Sequence, residues 1–313
     1  MRRASQNRLF AISTLEHRQL LSGGNVRAGL VGGTLTITGD NSANEVAVEQ
    51  TTEGLRVRTI SGTKLNGTTN GILTFVNPTQ TTIDLKGGND RLTLGDYLGG
   101  GVSVQMGAGH DQVNLSGINT DGDLKIDLGA GNDGLAAHLG GVSHTDANVV
   151  GGNVTLLGGA GGDRMILESL NALNNLTLDA GADNDVVLLG SGSTNGTTSV
   201  LLGNGNDVAS LANRTSRGLF SLTAAAGDDL VGVIHCEFQQ PATFDLGVGK
   251  DALLTSTNLF LANVTRAGGT GNDTLYSTAD SFSADRTVTG FEILPTTQSQ
   301  VQSLLNKLNL AFA

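Results

Sequence analysis

A fixed period of 22 residues is the feature that most restricts how this chain can fold. Six aspartates, each behind a glycine-rich turn, follow one another at this interval: Asp163, Asp185, Asp207, Asp229, Asp251 and Asp273. Asp90, Asp111 and Asp133 continue the series upstream at steps of 21 and 22 residues, whereas the step from Asp133 to Asp163 is 30. A period of this size is typical of a solenoid, in which each repeat packs on its neighbours. We interpret the single long step as a loop of eight extra residues.

The apolar residues around each aspartate predict the strands. The residue two places after the aspartate is apolar in all nine repeats, and the residues seven and five places before it are apolar or small, apart from Arg266. Residues two apart share a face of a strand. We therefore predict two strands per repeat, with inward-facing pairs, joined by the turn that carries the aspartate. We place the carboxylate itself on one outer edge, and we interpret Arg266 as the point where the interior pattern ends.

Strands that recur at a fixed interval and stack on their own copies form parallel sheets. The predicted fold is therefore all-β, a right-handed parallel β-helix with about 22 residues per coil. We assign residues 25–294 to this repeat domain, which would hold roughly twelve coils over about 55 Å. Its early part, residues 34–77, alternates like strands but has poor turn motifs. We interpret this part as degenerate first coils, with Glu45 about two coils before Asp90.

The two ends of the chain differ from the repeat domain. Residues 1–24 are basic, and they are interpreted as a sorting segment or, alternatively, as a plain cap of the solenoid. In residues 295–313, four apolar residues recur at helical spacing and predict a short capping helix over the open C-terminal end: Val301, Leu304, Leu305 and Leu308. No apolar run reaches the roughly 18 residues of a membrane span.

Composition narrows the classes of function. The formal charge of −11 and the pI of about 4.7 disfavour nucleic acid and anionic membranes as partners, because both require clustered Lys and Arg. Cys236 is the single cysteine, so no intramolecular disulfide can form. The triplet His235-Cys236-Glu237 does not predict a nucleophilic site, because adjacent residues of a strand face opposite ways.

Two turns carry the full nine-residue pattern GGxGxDxUx, namely GGAGGDRMI at 158–166 and GGTGNDTLY at 268–276. They resemble the calcium-binding nonapeptides of the repeats-in-toxin β-roll family. In that family calcium lies between stacked turns, held by aspartate carboxylates and turn carbonyls. The resemblance therefore implies calcium as cofactor. The implied ligands are Asp90, Asp111, Asp133, Asp163, Asp185, Asp207, Asp251 and Asp273.

The chain also departs from that family. It has one turn motif per 22 residues, whereas the β-roll has two per 18-residue coil, and the turn before Asp229 lacks two of the glycines. The best candidate sites pair Asp111 with Asp133 and Asp251 with Asp273. A metal-free ladder stays open as the alternative, because glycine and aspartate in such turns also fit pure turn chemistry.

Residues 15–22 read LEHRQLLS. They resemble the LEPR-x-LL-S element at the start of many large exported planctomycete proteins, with His17 in place of the proline. This resemblance implies export to the cell surface or the extracellular space.

The eight extra residues fall within 134–157, which contains His138, His144 and Asp146. Two histidines and an acid could bind zinc or act on a substrate, although a solvated loop is the simpler interpretation. Parallel β-helices also include carbohydrate-active enzymes such as polysaccharide lyases and epimerases. A cleft with three convergent carboxylates, or a Lys or Arg beside the insertion, would favour such an enzyme, and a smooth convex surface would disfavour it.

The leading prediction is an exported, acidic, calcium-binding repeat protein that has a structural or adhesive role and no catalytic activity. Its expected partners are calcium ions and surface glycans or matrix. A carbohydrate-active enzyme and a metal-free structural spacer are the two alternatives. The sequence does not specify the oligomeric state.

Overall fold

The computed structural model describes residues 23–138, 148–292, 302–304 and 306–308. The chain forms a parallel β-solenoid of about nine turns with about 22 residues per turn, and it is 61% strand and 2% helix. The predicted fold class and period are therefore confirmed. The predicted number of roughly twelve coils is wrong, because much of the N-terminal part forms hairpins rather than coils.

The N-terminal part contains seven strands. They are β1 (Asn25–Val31), β2 (Thr34–Thr38), β3 (Glu45–Thr51), β4 (Gly54–Thr59), β5 (Lys64–Leu65), β6 (Thr68–Thr69) and β7 (Ile72–Phe75). Only β2 and β3 belong to a coil, since they run parallel to the next coil. β1 pairs antiparallel with β2, and β4 pairs antiparallel with both β3 and β7. These hairpins cover the first coil, so the interpretation as degenerate first coils was wrong for most of this region.

The register also corrects the placement of Glu45. Glu45 pairs with Arg91, so Asn44 is the residue that matches Asp90, and the two lie in adjoining coils rather than two coils apart. The long excursion through β4 to β7 accounts for the 46 residues between them. Antiparallel hairpins have the same two-residue alternation as coil strands, so periodicity alone did not separate the two structures.

The remaining strands form the stacked coils. They are β8 (Gln80–Asp84), β9 (Arg91–Gly99), β10 (Gly101–Gln105), β11 (Gln112–Thr120), β12 (Leu124–Ala130), β13 (Gly134–His138), β14 (Asn148–Val150), β15 (Val154–Ala160), β16 (Arg164–Ala172), β17 (Leu176–Ala182), β18 (Val186–Thr194), β19 (Thr198–Leu201), β20 (Val208–Ala212), β21 (Arg214–Ser216), β22 (Phe220–Thr223), β23 (Leu230–Ile234), β24 (Glu237–Phe238), β25 (Ala242–Asp245), β26 (Val248–Gly249), β27 (Ala252–Ser256), β28 (Leu259–Phe260), β29 (Val264–Ala267), β30 (Thr270–Gly271), β31 (Thr274–Thr278), β32 (Ser281–Phe282) and β33 (Arg286–Thr289).

Each coil has three legs rather than the two strands that we predicted. The first legs, from β8 to β33, join the N-terminal β2, β1, β5 and β6 in a 14-stranded sheet. The second leg follows the ladder aspartate. The third leg is short, and it is either the end of a nine-residue strand such as β11 or a separate strand such as β21. Its inward positions hold both apolar and polar residues, so the sequence has no apolar period that predicts this leg. Examples are Ile118, Asn148, Arg214 and Cys236.

The predicted inward columns are confirmed. All nine residues two places after the aspartates are buried, as are those five and seven places before them. Arg266 is also inside, and there the interpretation needs correction. Its guanidinium carbon lies 5.2 and 5.0 Å from the ring centres of Phe260 and Phe282, and its Nη2 is 3.3 Å from Oδ2 of Asp280. The core therefore continues through this coil, with the charge of the arginine balanced inside it.

A short helix is present at residues 302–304 and 306–308. We predicted that it would cover the open end of the solenoid. It lies instead on the outer face of the second legs. Leu308 is buried there against Leu230, Ala252 and Leu254. Outward-facing apolar residues at these positions give the helix a surface on which to bury its own apolar side. In the described chain, no helix is long and apolar enough to cross a membrane.

Candidate functional site

The nine repeat aspartates form one continuous hydrogen-bonded ladder inside the turn. The backbone N–H of each of the first eight aspartates donates to Oδ1 of the aspartate in the following coil, at N···O distances of 2.7 to 2.9 Å. Each carboxylate therefore satisfies a main-chain donor in the neighbouring coil. Asp229 belongs to the ladder like the other eight, although its turn lacks two glycines.

Two residues of other types complete the ladder at its ends. Asn44 stands at the N-terminal end, where its N–H donates to Oδ1 of Asp90 at 2.7 Å. At the C-terminal end, the N–H of Asp273 donates to Oε2 of Glu292 at 2.8 Å. Neither residue was predicted, because Asn44 lies 46 residues before Asp90 and Glu292 only 19 after Asp273. Both ends of the column are thus hydrogen-bonded.

The carboxylates are not on an outer edge, and this part of the prediction was wrong. All nine aspartates are at most 4% exposed. The signal for this was present in the sequence, since the aspartate lies two residues before an inward apolar residue and must share its face. The prediction put acidic side chains outside because an ionised carboxylate is costly to bury without compensation.

The second oxygen of each ladder carboxylate faces the apolar interior. In all nine aspartates, Oδ2 is buried and has no hydrogen-bond partner among the described residues. A Cβ atom built on Gly158 would lie 2.6 Å from Oδ2 of Asp163, so this oxygen points at the column that holds Leu85, Met106 and Leu128 in other coils. Nine buried acceptors in one line therefore create a site with affinity for protons or cations.

Burial shifts the acidity of the ladder. It raises the pKa of Asp185 to about 8, and the negative charges of Asp207 and Asp163 add to the shift while the donated N–H opposes it. Burial likewise raises the pKa of Asp90 and Asp229 to about 7, and that of Asp133, Asp163, Asp207 and Asp251 to about 6. Neighbouring carboxylates about 4.8 Å apart would repel by about 3 kcal/mol at an effective dielectric of 20. Asp90, Asp185 and Asp229, whose pKa values are about 7 to 8, are therefore the ladder residues that hold protons near neutral pH.

The turn backbone is already hydrogen-bonded between coils. The carbonyls of Ala108 and Ala130 accept the N–H groups of Gly88 and Gly109, and the carbonyl of Gly107 accepts the N–H of Ala130. These carbonyls, with Oδ1, are the groups that the resemblance implies as calcium ligands. No group of three or more His, Cys, Asp or Glu side chains that could hold a metal is found in the described parts of the chain. Oδ2 is the oxygen of each ladder carboxylate that has no hydrogen bond, and one such oxygen per coil is far fewer than the six to eight that calcium requires.

The occurrence of glycine in the turns has a steric explanation that involves no metal. Gly131 has a φ of +143°, and a Cβ atom there would lie 1.5 Å from the carbonyl oxygen of Gly109 in the preceding coil. Glycine is favoured there, because a side chain at this φ would displace the neighbouring backbone. Neither turn position is strictly glycine: Asp183 occupies the equivalent of Gly131, and Lys86 and Ala225 occupy the position two residues earlier, all with positive φ.

A second ladder runs along the outside of the same turn, in the opposite direction. Here the side chain of the residue before the ladder aspartate accepts an N–H from the following coil. Asn206 Oδ1 accepts the N–H of Asp228 at 2.7 Å, and Asp228 Oδ1 accepts that of Lys250 at 2.9 Å. His110 takes part through Nδ1, which accepts the N–H of Asn132. The turn is thus bonded on both of its sides.

The insertion lies between β13 and β14, and residues 139–147, with His144 and Asp146, are outside the described part, as is the side chain of His138. Beside β13 is a groove of about 410 Å³ that Arg164 and Glu168 help to line. Arg164 is a base beside the insertion, as the enzyme alternative expects, whereas Glu168 is the single acid among the described residues of this groove and not one of three convergent carboxylates. Cys236 is buried, which raises the pKa of its thiol, while His235 is exposed, so the triplet does not converge.

Comparison with known proteins gave no relative: no protein-family model, no curated protein and no solved structure matches this chain.

Proposed function

We propose that this protein is an exported, non-catalytic structural rod whose aspartate ladder is held by hydrogen bonds and protons rather than by calcium. The observation that carries the proposal is the ladder itself: nine buried carboxylates bonded to the main chain of the neighbouring coil, with Asn44 and Glu292 at its ends. Such a column fixes the register of every coil and needs no metal to complete it. An adhesive role, through surface glycans or matrix, belongs to the same proposal.

The melting temperature in calcium and in chelator tests the metal-free ladder. We expect it to differ by less than about 2 °C between millimolar calcium and EDTA, because a ligand that does not bind the folded state adds no stability. Magnesium serves as the control for ionic strength and divalent charge. A rise of about 5 °C or more that is specific to calcium would contradict the proposal.

Calcium binding is the second candidate, and the nine unpartnered Oδ2 atoms are the observation that favours it. It requires the turn carbonyls to exchange their present hydrogen bonds for metal coordination. Isothermal titration of calcium into the wild type and into Asp163→Asn tests this candidate. Asp228→Asn is the matched control, because that acid is exposed and outside the buried aspartate ladder, and asparagine keeps its Oδ1 acceptor in the outer ladder. Heat that the ladder variant loses and the control keeps would establish calcium as the ligand.

Export rests on residues 15–22, which lie outside the described residues. A reporter fused after residue 24 should leave the cytoplasm of a planctomycete host, and a variant with Leu20→Asp and Leu21→Asp should stay inside. Equal retention of both fusions would contradict an address in this segment.

A further inference from the structure

The outer face of the 14-stranded sheet carries a row of hydroxyl groups along the solenoid. Eleven residues stand in register at its middle outward position, and all but Thr287 lie eight residues before the ladder residue of their coil. Ten of them are Thr or Ser: Thr36, Thr82, Ser103, Thr155, Thr177, Ser199, Ser221, Thr243, Thr265 and Thr287. Lys125 is the exception. We name these ten residues the hydroxyl row.

β-sheet propensity does not explain the row. Threonine is favoured in strands generally, so propensity would place it at outward positions on every leg. The corresponding outward column of the second legs is mixed instead: it holds Thr93, Asn114, Ala136, Ile166, Leu188, Ser210, Gly232, Leu254 and Tyr276. Hydroxyls are therefore concentrated on one face.

The hydroxyls of this row are available to a partner. Every member is half-buried or exposed, and in the described structure none of their hydroxyls bonds to another group of the chain. Strands about 4.8 Å apart give a continuous row of roughly 45 Å. A surface of this length fits an extended polymer rather than a small molecule, through many weak contacts.

The charged residues beside the row indicate which charge the bound polymer should carry. The flanking outward columns contain Asp84, Asp123, Asp127, Asp179, Asp245 and Asp285. Within the three columns Lys125 is the single base, and only Asp84 has an ion pair, with Lys86. An acidic face repels anionic polymers and attracts cationic ones. None of the three columns holds an aromatic residue, so affinity must come from hydrogen bonds and charge rather than from stacking on sugar rings.

We propose that this face binds a linear polysaccharide that carries free amino groups, with the hydroxyl row bonding to sugar hydroxyls and the flanking aspartates to ammonium groups. The proposal rests on the proposed adhesive role of the rod and names its surface and partner. It is independent of the ladder, because the face and the ladder lie on opposite sides of the sheet.

Cosedimentation with insoluble polysaccharides tests the proposal. We expect binding to chitosan, which has free amines, much weaker binding to chitin, whose amines are acetylated, and none to anionic alginate gel. Salt at about 0.5 M should release the protein from chitosan, because the screening length falls to about 4 Å. Equal binding to chitosan and chitin, or binding to alginate alone, would overturn the proposal.

Variants locate the surface. Asp179→Asn with Asp245→Asn should weaken chitosan binding about tenfold, since two partly exposed charge contacts are removed. Asp183→Asn with Asp228→Asn makes the same change of net charge on the exposed turn, and it should bind like the wild type. If both pairs lose affinity equally, attraction is due to net charge and the face is not the site.

The hydroxyls are tested separately. Thr155→Val, Thr177→Val and Thr243→Val together keep shape and strand propensity while removing three donors, so binding should fall severalfold. Thr93→Val, Thr215→Val and Thr274→Val on the other legs form the matched control. Equal loss in both triple variants would count against the row. Each variant is first checked for an unchanged melting temperature, which separates failure of this proposal from failure of the proposed rod.

Discussion

At the scale of single residues, the ladder aspartate acts as a backbone bridge between coils. Its Oδ1 accepts an N–H that would otherwise be buried without a partner, and its own N–H donates to the next aspartate. Asparagine retains this acceptor and carries no charge, whereas alanine loses it. The geometric role and the charge of the aspartate can therefore be tested separately.

At low pH, Asp207 stabilises the fold mainly through its hydrogen-bond acceptor Oδ1 and not through its charge. Asp207→Ala leaves the N–H of Asp185 unpaired in the interior, and it should lower the free energy of unfolding by about 1 to 3 kcal/mol. Asp207→Asn should cost clearly less, because Oδ1 is kept. Denaturant unfolding near pH 5 measures both, and a loss for the asparagine variant as large as for alanine would refute the bridging role.

At the scale of elements, each end of the solenoid needs something to cover its last layer of core residues. At the N-terminal end the antiparallel hairpins serve this purpose, with Leu55 and Val57 completely buried against the first coil. They also avoid an open edge to which another chain could pair. The C-terminal helix has a different role, because it covers an apolar part of the side.

The hairpin cap should contribute measurably to stability. Leu55→Ala should lower the free energy of unfolding by about 2 to 4 kcal/mol, since it opens a cavity between the cap and the first coil. Ile72→Ala, in the same hairpin region but 62% exposed, should change it by less than about 0.5 kcal/mol. Urea unfolding of both variants tests this, and equal small effects would mean that the cap is dispensable.

At the scale of the whole molecule, the ladder links folding to pH. Several ladder carboxylates have a pKa of about 6 to 8 in the folded chain, against 3.8 as the ordinary value. At pH values between the ordinary pKa and the folded pKa, the folded state holds protons that the unfolded chain has released. The ladder therefore contributes most to stability in acid, and this contribution is lost as the pH rises through the folded values.

The melting temperature should accordingly fall as the pH is raised from about 5 to about 8.5, a range that spans the pKa of Asp185 near 8. Asp185→Asn removes the group with the largest shift, so its melting curve should vary less with pH and should match or exceed the wild type at the alkaline end. Glu53→Gln is the control, because this exposed acid lies in the N-terminal hairpins, away from the ladder carboxylates. A melting temperature that increases over this range would show that the carboxylates are ionised inside the fold.

The sequence by itself determined the repeat, the stacking direction and the inward columns, because a side-chain period of two and a repeat of 22 are properties of residue order. It also contained the inward position of the aspartates, two places before a buried residue. It did not reveal the third leg, whose inward column mixes Arg214, Asn148 and Cys236 without an apolar period.

Only the tertiary structure decided which coils are neighbours and what each carboxylate meets there. Asn44 joins the ladder across 46 residues, and Glu292 ends it, because hydrogen bonds between coils depend on position in space rather than on sequence distance. The N-terminal hairpins were hidden for a related reason, since antiparallel and parallel strands alternate alike. The period thus specified a solenoid. The tertiary structure showed that its aspartates, which were expected to be surface metal ligands, form a buried ladder through hydrogen bonds between coils.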